Sequence, residues 1–156
     1  MDLLGVILSK LTSVLLFRSG EHYCCLPVEH VVETFRPLPT QRLGDAPPFV
    51  KGLARLRGEA VPVLDFNRLL GDSKDTVATR YISLRLGDRR AILAVEEVLE
   101  LRDLDQESMK QMPPLLADGS DTIASIGILD HRLLLLLQTA RLFFDLDLLA
   151  PAPVPS

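Results

Sequence analysis

Thr12–Glu33 reads TSVLLFRSGEHYCCLPVEHVVE, and Thr79–Glu100 reads TRYISLRLGDRRAILAVEEVLE, 67 residues further on with no gap. Thr12, Arg18, Gly20, Leu26, Val28, Glu29, Val31 and Glu33 recur as Thr79, Arg85, Gly87, Leu93, Val95, Glu96, Val98 and Glu100. Acidic Glu21 faces acidic Asp88. A second block repeats at an offset of 73: Leu56–Leu70 reads LRGEAVPVLDFNRLL, and Leu129–Phe143 reads LDHRLLLLLQTARLF. Alternating aliphatic residues make chance matches easy, but two blocks in the same order argue for an internal duplication. Each half then runs apolar stretch, glycine turn, apolar stretch, V-E-x-V, a Pro-containing connection, a long apolar stretch and a short helix-like tail.

The local patterns are those of short strands. Val14–Arg18 and Tyr23–Val28 flank the turn signal Ser19–Gly20–Glu21, and Tyr81–Leu86 and Ala91–Val95 flank Gly87–Asp88. Val61–Leu64 and Leu133–Leu137 are continuous apolar runs of strand length, which predicts strands covered on both sides. Pro62 lacks a backbone donor and places the first of these at an edge or a bulge. Short strands, tight turns and two equivalent halves predict an all-β fold with short helices, arranged as a pair of small β-barrels sharing one core. The short helix candidates are Phe66–Leu70, Thr139–Phe144 and Gln106–Gln111. Residues 1–11 differ: Leu3, Leu4, Ile7, Leu8 and Leu11 follow one helical face, with Asp2 as a cap. This amphipathic extension either covers a barrel end or docks on a partner. The tail, residues 146–156, ends in APAPVPS and is expected to be disordered.

Composition narrows the function. The 156 residues are 47% apolar and 24% charged, a globular balance that excludes a disordered chain. Aromatic residues are only 5%, with no Trp, so the core must be aliphatic. The formal net charge of -4 offers no basic face for nucleic acid, and the aromatic stacking platforms of an oligonucleotide-binding barrel are missing. No apolar run reaches the length of a membrane span, and the first residues carry no basic n-region. The expectation is a soluble cytoplasmic protein.

No catalytic constellation is visible. There is no phosphate-binding glycine loop followed by Lys and Ser or Thr, no dinucleotide fingerprint and no nucleophile elbow. His22, His30 and His131 are scattered, and the adjacent Cys24 and Cys25 do not have the spacing of zinc ligands. Strand alternation puts the two cysteines on opposite faces, with one thiol buried and one more exposed. Asp103 and Asp105 lie in a polar stretch, and Asp118–Gly119–Ser120–Asp121 reads as a turn without calcium-ligand spacing. Cofactor and metal are both expected to be absent. Arg55 and Arg57 flank Leu56 and would share a face in an extended chain.

Residues 49–65, FVKGLARLRGEAVPVLD, follow the Pro47–Pro48 loop and resemble the signature of the CheW-like family of chemotaxis coupling proteins, roughly F-I-x-G-x-x-N-L-R-G-x-I-x-P-V-x-D. Val31-Val32-Glu33 resembles the V-x-E before that loop, and Leu129–Leu133 (LDHRL) resembles the motif before the last strand. Arg55 stands where the pattern has Asn, Ser125 where Gly is common, and Gln138 where an acidic residue is usual.

The resemblance covers about residues 12–145. It implies two intertwined five-stranded SH3-like barrels in a pseudo-twofold arrangement, with subdomains at about 12–70 and 79–143. It also implies a non-enzymatic adaptor that bridges the cytoplasmic tip of a chemoreceptor and the regulatory domain of a CheA-type histidine kinase, at membrane-associated receptor arrays. A divergent scaffold that localises or competes with array components without coupling to the kinase is the alternative. The implied partner-binding residues are Val31, Glu33, Arg55, Arg57 and Gly58. Glu33 and Arg57 should lie close together, either as partner contacts or as an intradomain ion pair.

Overall fold

The computed structural model describes residues 11–71, 77–105, 110–111, 123–129, 132–137, 139 and 142–143. Its strands are β1 Leu11–Ser19, β2 His22–Pro27, β3 Val31–Phe35, β4 Thr40–Gln41, β5 Val50–Leu56, β6 Glu59–Asp65, β7 Arg80–Leu86, β8 Arg89–Val95, β9 Glu97–Asp105, β10 Lys110–Gln111, β11 Ile123–Leu129 and β12 Arg132–Leu137. A short helix, α1, spans Phe66–Leu69, and a 3-10 turn covers Val28–His30. The Asp65 carboxylate starts α1 by accepting from the backbone N–H groups of Asn67 (3.0 Å) and Arg68 (3.3 Å), the N-cap geometry.

The strands form two six-stranded sheets, ordered β10-β11-β12-β2-β1-β9 and β3-β7-β8-β6-β5-β4. Replacing each strand by its repeat equivalent (β1 by β7, β2 by β8, and so on to β6 by β12) turns one order into the other. The irregularities repeat as well. The β3–β7 ladder skips Val32 and the β9–β1 ladder skips Leu99, while β5–β6 shifts between Val50 and Gly52 and β11–β12 between Ile123 and Ser125. Bulges at matching positions are strong support for the duplication, since a bulge is a specific local device.

Each sheet draws on both halves of the sequence. The first-half hairpin β1–β2 lies between β9 and β12 of the second half, and the second-half hairpin β7–β8 lies between β3 and β6 of the first. The resemblance implies five-stranded barrels; each sheet found has six strands, one of them the two-residue edge strand β4 or β10.

Burial follows this symmetry. A central cluster joins the sheets and pairs repeat equivalents: Leu15 with Ile82, Phe17 with Leu84, Cys24 with Ala91, Leu26 with Leu93, and Leu64 with Leu137. Phe17 and Phe66 meet edge to face with ring centroids 5.0 Å apart. Each sheet also buries its other face, one around Val61, Val63, Tyr81 and Ile92, the other around Val14, Leu16, Cys25 and Leu134. Pro62 sits on an inner strand, but the β6–β8 ladder begins only at Val63. At Pro62 the strand has only β5 beside it, so the missing N–H breaks no ladder bond.

Four expectations need correction or restriction. Cys24 and Cys25 do face opposite sides, but both are buried, because β2 is an inner strand covered on both faces. Leu11 belongs to β1 rather than to the extension; the remainder of the extension, residues 1–10, and the tail lie outside the described residues. Lys110 and Gln111 form β10 instead of ending a helix, held by pairing with Ile126 and Ser125, and residues 106–109 lie outside the description. Of the segment 139–144, Thr139, Leu142 and Phe143 are described, in helical conformation. α1 itself falls where expected.

Burial keeps the Cys25 thiol protonated, its pKa pushed up to about 12, and raises Cys24 well above the usual thiol value by desolvation and by its neighbour. The thiolate is the reactive form. Both cysteines should therefore resist an aromatic disulfide reagent at pH 8 in the native protein and react fully once it is unfolded. Rapid native labelling at either position would show that β2 opens.

Candidate functional site

The β5–β6 hairpin has a two-residue tip, Arg57–Gly58, closed by the Leu56–Glu59 pair. Both tip residues have positive φ, 51° at Arg57 and 85° at Gly58, the signature of a type I′ turn. Such turns favour Asn or Gly first. Arg57 is the one described residue other than glycine with positive φ. Its guanidinium, with 66% of the side chain exposed, donates to Glu33 Oε2 at 2.9 Å. Glu33 is held from the other side by β3, directly after the bulge at Val32. The pairing of Glu33 with Arg57 is thus found as expected, and it ties β3 to the hairpin tip within one sheet.

The other expected site residues divide. Val31 is half-buried against the central cluster and pairs with Leu84, so much of its side chain serves the core. Arg55 is exposed on β5 opposite Ala60 and makes no ion pair among the described residues. It does not share a strand face with Arg57, because the chain leaves the extended conformation at the turn. Gly58 completes the turn with open space around it.

Sequence reasoning did not single out three exposed aliphatic residues, Val32, Leu99 and Leu101. Val32 and Leu99 are repeat equivalents, each the extra residue of its bulge, on the edge strands β3 and β9. Leu101, 67% exposed, lies two residues further along β9 opposite Leu15. The signal was present in the repeat: V-V-E and V-L-E put an apolar residue at a position where an edge strand would carry a polar one.

The acidic side of the repeat is asymmetric. Glu100, the equivalent of Glu33, bonds Arg102 on its own strand at 2.7 Å. Arg18 Nη1 donates to Glu96 (2.9 Å) and to the Gly20 carbonyl (2.9 Å), its Nε donates to Glu97 (3.2 Å), and Glu96 in turn accepts from the Gly20 N–H (3.0 Å). The Glu96 hydrogen bond raises the Arg18 pKa above its ordinary value against the opposing effect of burial. In the other half Arg85 keeps the bond to its own turn carbonyl, Gly87, but Glu29 lies beside His30 at 3.9 Å and does not pair with Arg85.

The Arg18 pair is only 28% and 23% exposed, so solvent screens it incompletely. Arg18→Ala should cost about 1–2 kcal/mol in urea unfolding, as expected for charge-assisted bonds at partial burial. Arg85→Ala should cost less than about 0.5 kcal/mol. Equal losses would show that the latch contributes nothing beyond the turn.

Among the described residues no group of three or more His, Cys, Asp or Glu could hold a metal ion, and no helix is long and apolar enough to cross a membrane.

Residues 13–146 match the CheW-like domain. The chain belongs to the CheW-like family. Its relatives include the chemotaxis protein CheW of Helicobacter pylori, 24% identical over 128 residues, covering 81% of this chain and 78% of that protein. The chemotaxis protein CheW of Klebsiella aerogenes is 29% identical over 105 residues, covering 65% and 63%. Among solved structures, the scaffolding protein TtCheW from Thermoanaerobacter tengcongensis superposes with a TM-score of 0.72 at 22% identity, covering 81% of this chain and 88% of the other. That likeness bears on the fold: the mostly-β, two-sheet architecture of this chain is that of CheW.

The CheW-like signature can be read against these contacts. Gly52 lets the Gln41 carbonyl approach, Pro62 sits where one ladder ends, and Asp65 caps α1. These positions serve the fold. Arg57 braces β3 through Glu33, but the turn itself would be better served by Asn or Gly.

Proposed function

We propose that this chain is a non-enzymatic chemosensory adaptor that couples the cytoplasmic tip of a chemoreceptor to the regulatory domain of a CheA-type histidine kinase, in the cytoplasm at receptor arrays. The observation that carries the reading is Arg57. A non-glycine residue at positive φ costs about 1–2 kcal/mol. Arg57 occupies that position exposed and paired to Glu33, and strain of this kind clusters where a side chain is used.

The proposed binding surface is the rim formed by Glu33, Arg57, Arg55 and Gly58 next to Val31 and the exposed Val32. Its composition, a small apolar centre with a charged edge, suits a protein partner rather than a small molecule. Family membership and the names of the relatives support the chemotaxis setting. Leu99 and Leu101 on β9 supply a second apolar strip on the other sheet, which suits an adaptor that must hold two partners.

Calorimetric titration tests the reading. The chain should bind a cognate kinase regulatory domain, a receptor-tip fragment, or both, and ATP should give no heat and no turnover. Hydrolysis of ATP by the pure protein, or silence toward both proteins, would overturn it. Binding to the receptor tip with none to the kinase would favour the non-coupling scaffold.

A further inference from the structure

We infer that a second copy of this chain can complete both sheets, giving a half-exchanged dimer in which residues 11–71 of each copy fold with residues 77–143 of the other. The β1–β9 ladder runs from Leu11–Asp105 to Arg18–Glu97 and joins the halves across one sheet. The β3–β7 ladder and the short parallel ladders β2–β12 and β6–β8 join them elsewhere. The latch from Arg18 to Glu96 and Glu97 also crosses between halves. The halves are linked covalently by one connection, between α1 and β7. Every contact that closes a sheet is therefore one that another copy presents identically, and the surface it would use is the existing inter-half interface.

Closure within one chain and closure between two copies differ mainly in concentration. A short connection gives the second half an effective concentration on the order of mM, so the monomer prevails in dilute solution and exchange competes as the chain itself approaches that range. Exchange of this kind is a low-cost route to dimers, because no new contact has to be invented. Glu33 and Arg57 both come from the first half, so each member of the dimer keeps that pair intact, and the dimer is bivalent for whatever docks there.

The test uses the full-length chain with a protease recognition sequence in place of residues 72–76, first shown to match the parent in circular dichroism and in monomer mass. It is unfolded and refolded at about 1 μM and about 1 mM, one far below the effective concentration and one comparable to it. Light scattering should find monomer at the lower and a persistent dimer at the higher, with the dimer-to-monomer ratio set on refolding rising in proportion to the free monomer, as mass action requires. The dimer is then cut in the replaced segment. A half-exchanged dimer should fall to monomer-sized particles, each containing one half from each parent chain. A particle that stays dimer-sized after complete cutting is held by an outer face and overturns the inference. So does refolding to monomer alone at the higher concentration.

Discussion

Replacing Gly52 by alanine should lower the thermal unfolding midpoint by roughly 10 °C, about 3 kcal/mol for a domain of this size. A Cβ at position 52 would stand 2.0 Å from the Gln41 carbonyl oxygen and 2.7 Å from its carbon. Those are backbone atoms of β4, so relief would require the β4–β5 pairing to open. Gly52 also has φ of 150°, a conformation that residues with a side chain seldom adopt, so space alone would not rescue the variant. Gly58 provides the control. Its φ is 85°, but a Cβ there meets nothing within 4 Å. Gly58→Ala should therefore cost about 1 kcal/mol, the strain term without the collision. Equal losses at the two positions would mean that the approach of β4 to Gly52 contributes little.

Arg57→Glu should weaken binding to the protein partner by roughly 100-fold while moving stability by less than about 1 kcal/mol. The stability side follows from exposure: a surface ion pair contributes little, and Arg57 is largely in solvent. The binding side follows from charge reversal, since a like-charge contact at an interface costs several kcal/mol and each 1.4 kcal/mol is a factor of ten. Two further variants separate the roles. The double reversal, Glu33→Arg with Arg57→Glu, rebuilds the pair in the opposite sense. It should remain defective if the guanidinium meets the partner, and should recover if the pair only braces β3 against the hairpin. Arg57→Asn places a residue suited to positive φ at the turn, and should raise the unfolding midpoint by a few degrees, corresponding to about 1 kcal/mol, while reducing affinity. Titration calorimetry with the kinase regulatory domain and the receptor tip, beside thermal unfolding, reads all three. Unchanged affinity of Arg57→Glu for both partners would remove Arg57 from the binding surface.

Much of the fold was legible because its devices leave short-range marks. Glycine turns after alternating runs located the hairpins β1–β2 and β7–β8. The repeat extended the reading to the equivalent apolar runs of β6 and β12, while the short strands β4 and β10 left no mark. What stayed hidden was which hairpin serves which sheet. Both hairpins carry the same pattern, and pairing within a half or across halves would bury the same residues, so periodicity is silent on the choice. The error at the cysteine pair has a related cause: alternation tells which face a residue takes, not whether that face is covered, and here both faces of β2 are packed.

At the candidate site the Glu33–Arg57 approach, 24 residues apart in sequence, was readable only through the resemblance to a known motif. The positive φ of Arg57 could not be read from a residue type that avoids it. Val32 and Leu99 were missed because single apolar residues on a strand look like core until a bulge turns them outward.

The unequal fate of Glu33 and Glu100 has a consequence for orientation. A duplicated chain with perfect internal symmetry would present one surface twice, and any partner could seat on it in two equivalent ways. Here one glutamate reaches across to a hairpin tip and its counterpart turns to Arg102 on its own strand. The same backbone frame therefore carries two different charge patterns at related places. Such a molecule has a front and a back, so whatever docks on it meets two distinguishable faces.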